Sequence, residues 1–166
     1  MRVLCFGYRS WALRIYENIK QQKNLEVIIL DNRNLVDINV LDTLKPDLVL
    51  FFGWSWLVPS NIIRGYRCFM LHPSDLPKYR GGSPIQNQII DGITDTKLTL
   101  FQMGEGVDDG PIYGQIDLDL TGNISDIFSR LEFGGTELTL NLVDGVLRPL
   151  AQVHEEATYC KRREPE

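Results

Sequence analysis

The run Leu48-Val49-Leu50-Phe51-Phe52-Gly53 constrains this chain more than any other feature. It is apolar at every position, closes on glycine and is introduced by Pro46-Asp47. A strand without a polar position needs cover on both faces, the condition of a central strand in a parallel sheet flanked by helices. The N-terminal half agrees. Arg2 to Gly7 is another apolar run ending in glycine, and Leu25 to Leu30 is rich in branched residues. Between them Ser10 is placed to cap a helix that carries Trp11, Ile15 and Ile19 on one face. Strand, helix, strand within about 30 residues is the parallel βαβ unit. The segment 32–45 is polar and weakly periodic, a loop with a short helix. Cys68 to Leu71 makes a further buried strand and delivers His72 at its end. Gly7, Gly53 and His72 thus follow the C-terminal ends of strands, where open α/β sheets bind ligands.

The pattern then changes. Ile85 to Asp91 is helical. Lys97 to Gln102 and Ile112 to Leu120 alternate, giving two half-buried strands around the loop Met103 to Pro111. Gly122-Asn123 opens an amphipathic helix with Ile124, Ile127, Phe128 and Leu131, then Leu138, Leu142 and Val146. Gly134-Gly135 interrupts it, either as a kink or as a site of close packing. No repeat, linker or low-complexity segment is visible. One α/β domain over residues 1–166 is expected, with a mainly parallel sheet flanked by helices.

Composition narrows the partners. The net charge of −5 argues against a nucleic-acid partner, because phosphate backbones are bound through Lys and Arg. No apolar run is long enough to span a membrane. Met1 to Gly7 lacks the features of a secretory signal. Cys5, Cys68 and Cys160 are odd in number and show no metal-ligand spacing, so a reducing, cytoplasmic setting is expected and no metal. His154 and the run Lys161-Arg162-Arg163 lie in a polar tail and read as solvated surface.

Two segments could carry chemistry. His72 opens Pro73-Ser74-Asp75-Leu76-Pro77-Lys78-Tyr79-Arg80-Gly81-Gly82-Ser83-Pro84, a shaped loop on a rigid strand. The histidine either works in a site or anchors the loop. Gly104-Glu105-Gly106-Val107-Asp108-Asp109-Gly110-Pro111 offers two acids among glycines: a turn, an acid–base site or, against the calcium-loop spacing, a metal loop.

Taken together, the segments 72–86 and 102–112 resemble the folate-dependent formyltransferases, a superfamily including methionyl-tRNA, glycinamide ribonucleotide and nucleotide-sugar enzymes. Glu155 to Tyr159 is similar to the end of their catalytic domain. The resemblance covers nearly the whole chain. It implies a Rossmann-like domain, here one strand–helix unit short between Leu30 and Leu48. It also implies 10-formyltetrahydrofolate as formyl donor, with His72 stabilising the oxyanion and assisting proton transfer. Asp108 would orient His72 or a water, with Asp109 facing solvent. Trp54, Ser55, Trp56, Leu57 and Val58, with Gln102, Met103, Gly104 and Gly106, would form the folate pocket. Tyr8, Arg9 and Ser10, with Lys78, Arg80, Gly81 and Gly82, would meet the acceptor.

One position departs from the family. Its asparagine two residues before the histidine is Met70 here, which cannot donate to an oxyanion. Gln86, Asn87 or backbone amides are the available substitutes. The hydrolase domain of 10-formyltetrahydrofolate dehydrogenase is similar in having an apolar residue there. The expected acceptor is a nucleotide-linked amino sugar, since the chain is short for a methionyl-tRNA enzyme and acidic. Hydrolysis of 10-formyltetrahydrofolate, a methionyl-tRNA-type transfer and a folate-binding module are the alternatives. The oligomeric state is open, a homodimer being one option.

Overall fold

A computed structural model describes residues 1–164; Pro165 and Glu166, the last of the polar tail, lie outside it. Four parallel strands come first: β1 (Arg2–Phe6), β2 (Glu26–Leu30), β3 (Leu48–Leu50) and β4 (Cys68–His72). Helix α1 (Ser10–Lys20) joins β1 to β2, α2 (Ile38–Leu44) precedes β3, and α3 (Ser60–Gly65) precedes β4. A two-residue strand β5 (Arg80–Gly81) and α4 (Pro84–Ile90) follow. Then come β6 (Asp95–Gln102), β7 (Ile112–Asp119), α5 (Ile124–Val143) and a short β8 (Tyr159–Cys160). The main sheet has six strands in the order β2-β1-β3-β4-β6-β7, with β6 and β7 antiparallel. β5 and β8 pair separately, in parallel.

The apolar run forms its central strand because alternation loads both faces. Leu48, Leu50 and Phe52 join Val3, Cys5 and α1 in one core, while Val49 and Phe51 join Leu4 and Phe6 in the other. Tyr16 ties the ends of β1 and β3 together. Its hydroxyl donates to Phe6 O (2.7 Å) and accepts from Phe52 N (2.8 Å). Complete burial holds its phenol well above the usual range.

Several expectations change here. Ser10 is the first helical residue, not a cap; Arg9 takes the cap position without a side-chain bond. β6 is interior rather than half-buried, since β4 and β7 flank it. Its polar positions are satisfied from across the fold, with Thr99 Oγ1 donating to Ser74 O (2.7 Å) and Thr96 Oγ1 to Gln88 Oε1 (2.6 Å). Helix α5 is continuous through Gly134-Gly135. A Cβ on Gly135 would lie 2.5 Å from Ile15 Cδ1, so the pair lets α5 press onto α1 and the sheet. Ile124 is exposed and Val146 lies past the helix end, exposed too. Among the described residues, no helix is long and apolar enough to cross a membrane.

Candidate active site

β4 ends on His72, whose ring is bonded at one nitrogen and faces a carboxylate with the other. Nε2 lies 2.6 Å from Tyr79 O. A carbonyl only accepts, so Nε2 carries a proton, and Nδ1 is left to exchange one. Nδ1 faces Asp108 Oδ2 at 3.5 Å, the two side chains being 7% and 14% exposed.

Asp108 comes from the loop between β6 and β7, with its backbone in the left-handed region at φ 49°. Aspartate tolerates that region better than most residues. Gly81 N donates to its Oδ2 (2.8 Å), and Gln152 Nε2 donates to Asp108 O and to Gly110 O, both at 2.8 Å. Asp109 does not simply face solvent. It is half-buried, and its carboxylate folds back over the loop, where a Cβ on Gly106 would lie 2.0 Å from Asp109 Oδ2.

The tail borders the site, although His154 and Lys161 to Arg163 stay exposed as expected. β8 lies against β5 so closely that a Cβ on Gly81 (φ +104°) would sit 2.4 Å from Cys160 O. Arg80, expected to meet the acceptor, is only 3% exposed. Its guanidinium donates to Gln152 Oε1 (2.8 and 3.2 Å), Tyr159 OH (2.9 Å) and His154 Nδ1 (2.9 Å), so it is spent on fixing the tail. His154 is thereby an acceptor for a buried cation rather than a surface side chain alone. Arg162 and Arg163 line the same cleft as His72. Only the likeness of Glu155 to Tyr159 to the family's closing segment hinted at this placement.

The cleft holds about 330 Å³, within the range of small-molecule sites. Of the expected folate contacts, Trp54 and Ser55 line it. Trp56, Leu57, Gln102, Met103, Gly104 and Gly106 stand outside its wall. Leu57 is 95% exposed, and Gln102 Oε1 accepts from Tyr113 OH (3.1 Å). Val58 is buried in the second core, which removes its side chain from any pocket. Of the expected acceptor contacts, Arg9, Gly81 and Gly82 line the cleft and Lys78, Tyr8 and Ser10 do not. Lys78 borders a separate groove with Asp75 and Asp95. Tyr8 instead bonds Ser55 across the β1 and β3 loops (2.7 Å).

Met70 shares the wall with His72. Of its possible substitutes, Asn87 is fully engaged: its amide donates to Gly82 O, Ser83 O and Lys161 O and its oxygen accepts from Arg163. Gln86 is exposed and lines the cleft. Trp54 is packed against Phe6, Tyr8, Phe51 and Trp56, and its buried Nε1 has no partner among the described residues. A buried N–H without an acceptor is costly, and Trp54, only 6% exposed, presents little more than an edge to the cleft.

Comparison with known proteins agrees with this fold. Residues 20–132 match the family model described as "Formyl transferase". A methionyl-tRNA formyltransferase of Nitratiruptor sp. is 35% identical over 148 residues, 85% of this chain and 49% of that relative. The chain thus spans about half the length of the curated relatives it matches. A methionyl-tRNA formyltransferase structure from Clostridium thermocellum superposes with a TM-score of 0.91 at 30% identity, over 99% of this chain and 73% of that one. The formyltransferase PseJ from Anoxybacillus kamchatkensis, solved with a UDP-linked formamido sugar and tetrahydrofolate, gives 0.77 at 19% identity over 97% and 86%, a likeness of fold alone. With residues 20–132 matched by the family model and a 30% identical structure superposing over nearly its whole length, this chain belongs to the formyl transferase family.

Proposed function

We propose that the chain transfers a formyl group from 10-formyltetrahydrofolate to an acceptor amine of the methionyl-tRNA type. The observation that carries the reading is the meeting of buried His72 and half-buried Asp108, remote in sequence, in one cleft beyond β4. The acceptor differs from the amino sugar expected above. The relatives compared above at 30% identity or more bear the methionyl-tRNA name, whereas the sugar enzyme compared is related by fold. A cytoplasmic setting remains part of the proposal.

10-Formyltetrahydrofolate supplies an activated formyl carbon when bound. Trp54 and Ser55 would hold its pterin, with the loop after β6 beside them. Nδ1 of His72 would take the proton that the attacking amine gives up and pass it to N10 of tetrahydrofolate as the bond from N10 to the formyl carbon breaks, while the Asp108 carboxylate balances the transient imidazolium. Tyr79 O and Gly81 N hold the two groups in place meanwhile. Gln86 is the side-chain amide available to the oxyanion.

The test is incubation of the whole chain with 10-formyltetrahydrofolate and methionyl-tRNA, UDP- or dTDP-amino sugars, or no acceptor. A formyl mass gain on methionyl-tRNA is expected. His72→Ala and Asp108→Ala should each lower it about 10²–10⁴-fold with unchanged circular dichroism. Near-wild-type rates in either variant would remove the site.

A second reading, hydrolysis to free formate, is favoured by Met70, which offers the cleft no donor. Formate released equally with and without acceptor would establish it. Met70→Asn separates the two: if transfer is limited by a missing donor, the rate rises, by up to about a hundred-fold on the scale of such donors.

A further inference from the structure

We infer that Tyr79 is a positioning residue for His72: its carbonyl, set by a left-handed backbone and by anchors on Asp91 and Thr158, decides which ring nitrogen serves as the base. The consequence for turnover rests on the proposed function; the placement of the ring proton does not.

Two acceptors compete for the single proton of the neutral imidazole. Asp108 Oδ2 stands 3.5 Å from Nδ1, and Tyr79 O stands 2.6 Å from Nε2. Charge favours the carboxylate and distance favours the carbonyl. Distance wins, because 3.5 Å is long for an N–H···O bond, whereas at 2.6 Å two facing lone pairs would repel. The choice matters chemically. Asp108 lines the cleft and Tyr79 does not, so Nδ1 is the nitrogen on the cleft side. A proton on Nδ1 would leave the basic lone pair on Nε2, turned toward Tyr79 and away from an attacking amine.

Tyr79 presents that carbonyl from an uncommon conformation. Its φ is 57°, in the left-handed region, where a bulky side chain is an outlier. Such strain persists only where the surroundings over-determine it, and it gathers at functional sites. Here the surroundings act from several directions. Tyr79 N donates to Thr158 Oγ1 (2.8 Å) and the phenol to Asp91 Oδ2 (2.6 Å). On one side Lys78 O accepts from Ser74 Oγ (2.6 Å); on the other Arg80 N donates to Thr158 O (2.9 Å). Ser74 is wholly buried, so the loop is fastened back to the end of the strand it left. The hydrogen bond to Asp91 pushes the phenol up to about 12, which keeps it a donor through neutral pH. Glycine would adopt this backbone without strain. Tyrosine adds the side-chain anchor that glycine lacks.

Heteronuclear NMR of the histidine ring nitrogens in the whole chain tests the inference without a formyl donor. The chain has two histidines, and the signal lost in His72→Gln is that of His72. Above the titration of the ring, the proton is expected on Nε2. In Tyr79→Gly it should move to Nδ1. The kcat of formyl transfer should then fall about tenfold or more, within the roughly 10⁴-fold that a wrong tautomer can cost, at unchanged KM. Tyr79→Phe and Thr158→Val, each short of one anchor, should move the tautomer part of the way. Tyr66→Phe removes a tyrosine–aspartate bond elsewhere, to Asp42, and should leave His72 unchanged. A wild-type proton on Nδ1, a proton that stays on Nε2 in Tyr79→Gly, or an equal shift in Tyr66→Phe would each end the inference. Should Tyr79→Gly fail to fold, an unmoved proton in both Tyr79→Phe and Thr158→Val ends it instead. Formyl transfer with the proton on Nδ1 would sink this role of Tyr79 alone; a proton on Nε2 without transfer to any acceptor would sink the proposed function alone.

Discussion

The parallel core of β1 to β4 and the tail from Gln152 to Arg163 both shape the cleft, but different forces hold them. The core is secured by apolar burial on two faces of the sheet, with Leu4, Phe6, Val49 and Phe51 on one side and Val3, Cys5, Leu48, Leu50 and Phe52 on the other. The tail buries little apolar surface; Val153 and Tyr159 are exposed. Polar bonds hold it: Arg80 N to Thr158 O, Thr158 N to Pro77 O, Tyr79 N to Thr158 Oγ1, and the Arg80–Gln152 pair that also reaches the Asp108 backbone. A core made of many weak contacts should yield as a whole. A tail hung on a few directional bonds should detach by itself, carrying the support of Asp108 with it.

The sharpest way to break the comparison is a cavity in the core. Phe52 is wholly buried, with its ring stacked 5.4 Å from Tyr16. Phe52→Ala should cost about 3–5 kcal/mol, read as a drop in the midpoint of urea unfolding with every probe moving together. Next is Arg80→Ala, which leaves Gln152 and His154 without their buried donor. Losing hydrogen bonds to a charged group costs about 1.5–3 kcal/mol. Here the expected signature is local: proteolysis begins in the tail, and formyl transfer falls while the core transition keeps its shape. If the core unfolds with the tail, the two regions are not separable. Tyr16→Phe is a smaller intervention within the core. It strands Phe52 N and Phe6 O at the ends of β1 and β3, for about 1–3 kcal/mol, measured again by urea unfolding.

The smallest effect reads the same contrast through thiols. Burial pushes the Cys68 thiol up to about 12 and raises Cys5 as well, so both remain neutral at mildly alkaline pH. Cys160 is also raised, first by partial burial and then by the charge of Asp108, and its thiol donates to Gly82 O at 3.1 Å. Alkylation followed by mass spectrometry should leave Cys5 and Cys68 unmodified and label Cys160 slowly. In Arg80→Ala, labelling of Cys160 alone should accelerate. Equal acceleration at Cys68 would mean that the tail is part of one cooperative unit with the core.

By itself the sequence determined the six strands of the main sheet, every helix but α3, the family, and His72 and Asp108 as the residues to bring together. Burial leaves a mark along the chain, as unbroken apolar runs in β3 and as spacing in α1 and α5, and the segments around His72 and Asp108 are long enough to be distinctive. Only the tertiary structure decided which cations face the cleft. Arg80 looked available and is buried; Arg162 and Arg163 are exposed, as expected, yet line the cleft. It likewise made β6 an interior strand and turned Gly134-Gly135 into a packing surface instead of a kink. The physical reason is common to all of these. A hydrogen bond or close approach between segments distant along the chain, such as Gly81 against Cys160, depends on where two backbones meet, and neither segment carries that information in its own pattern.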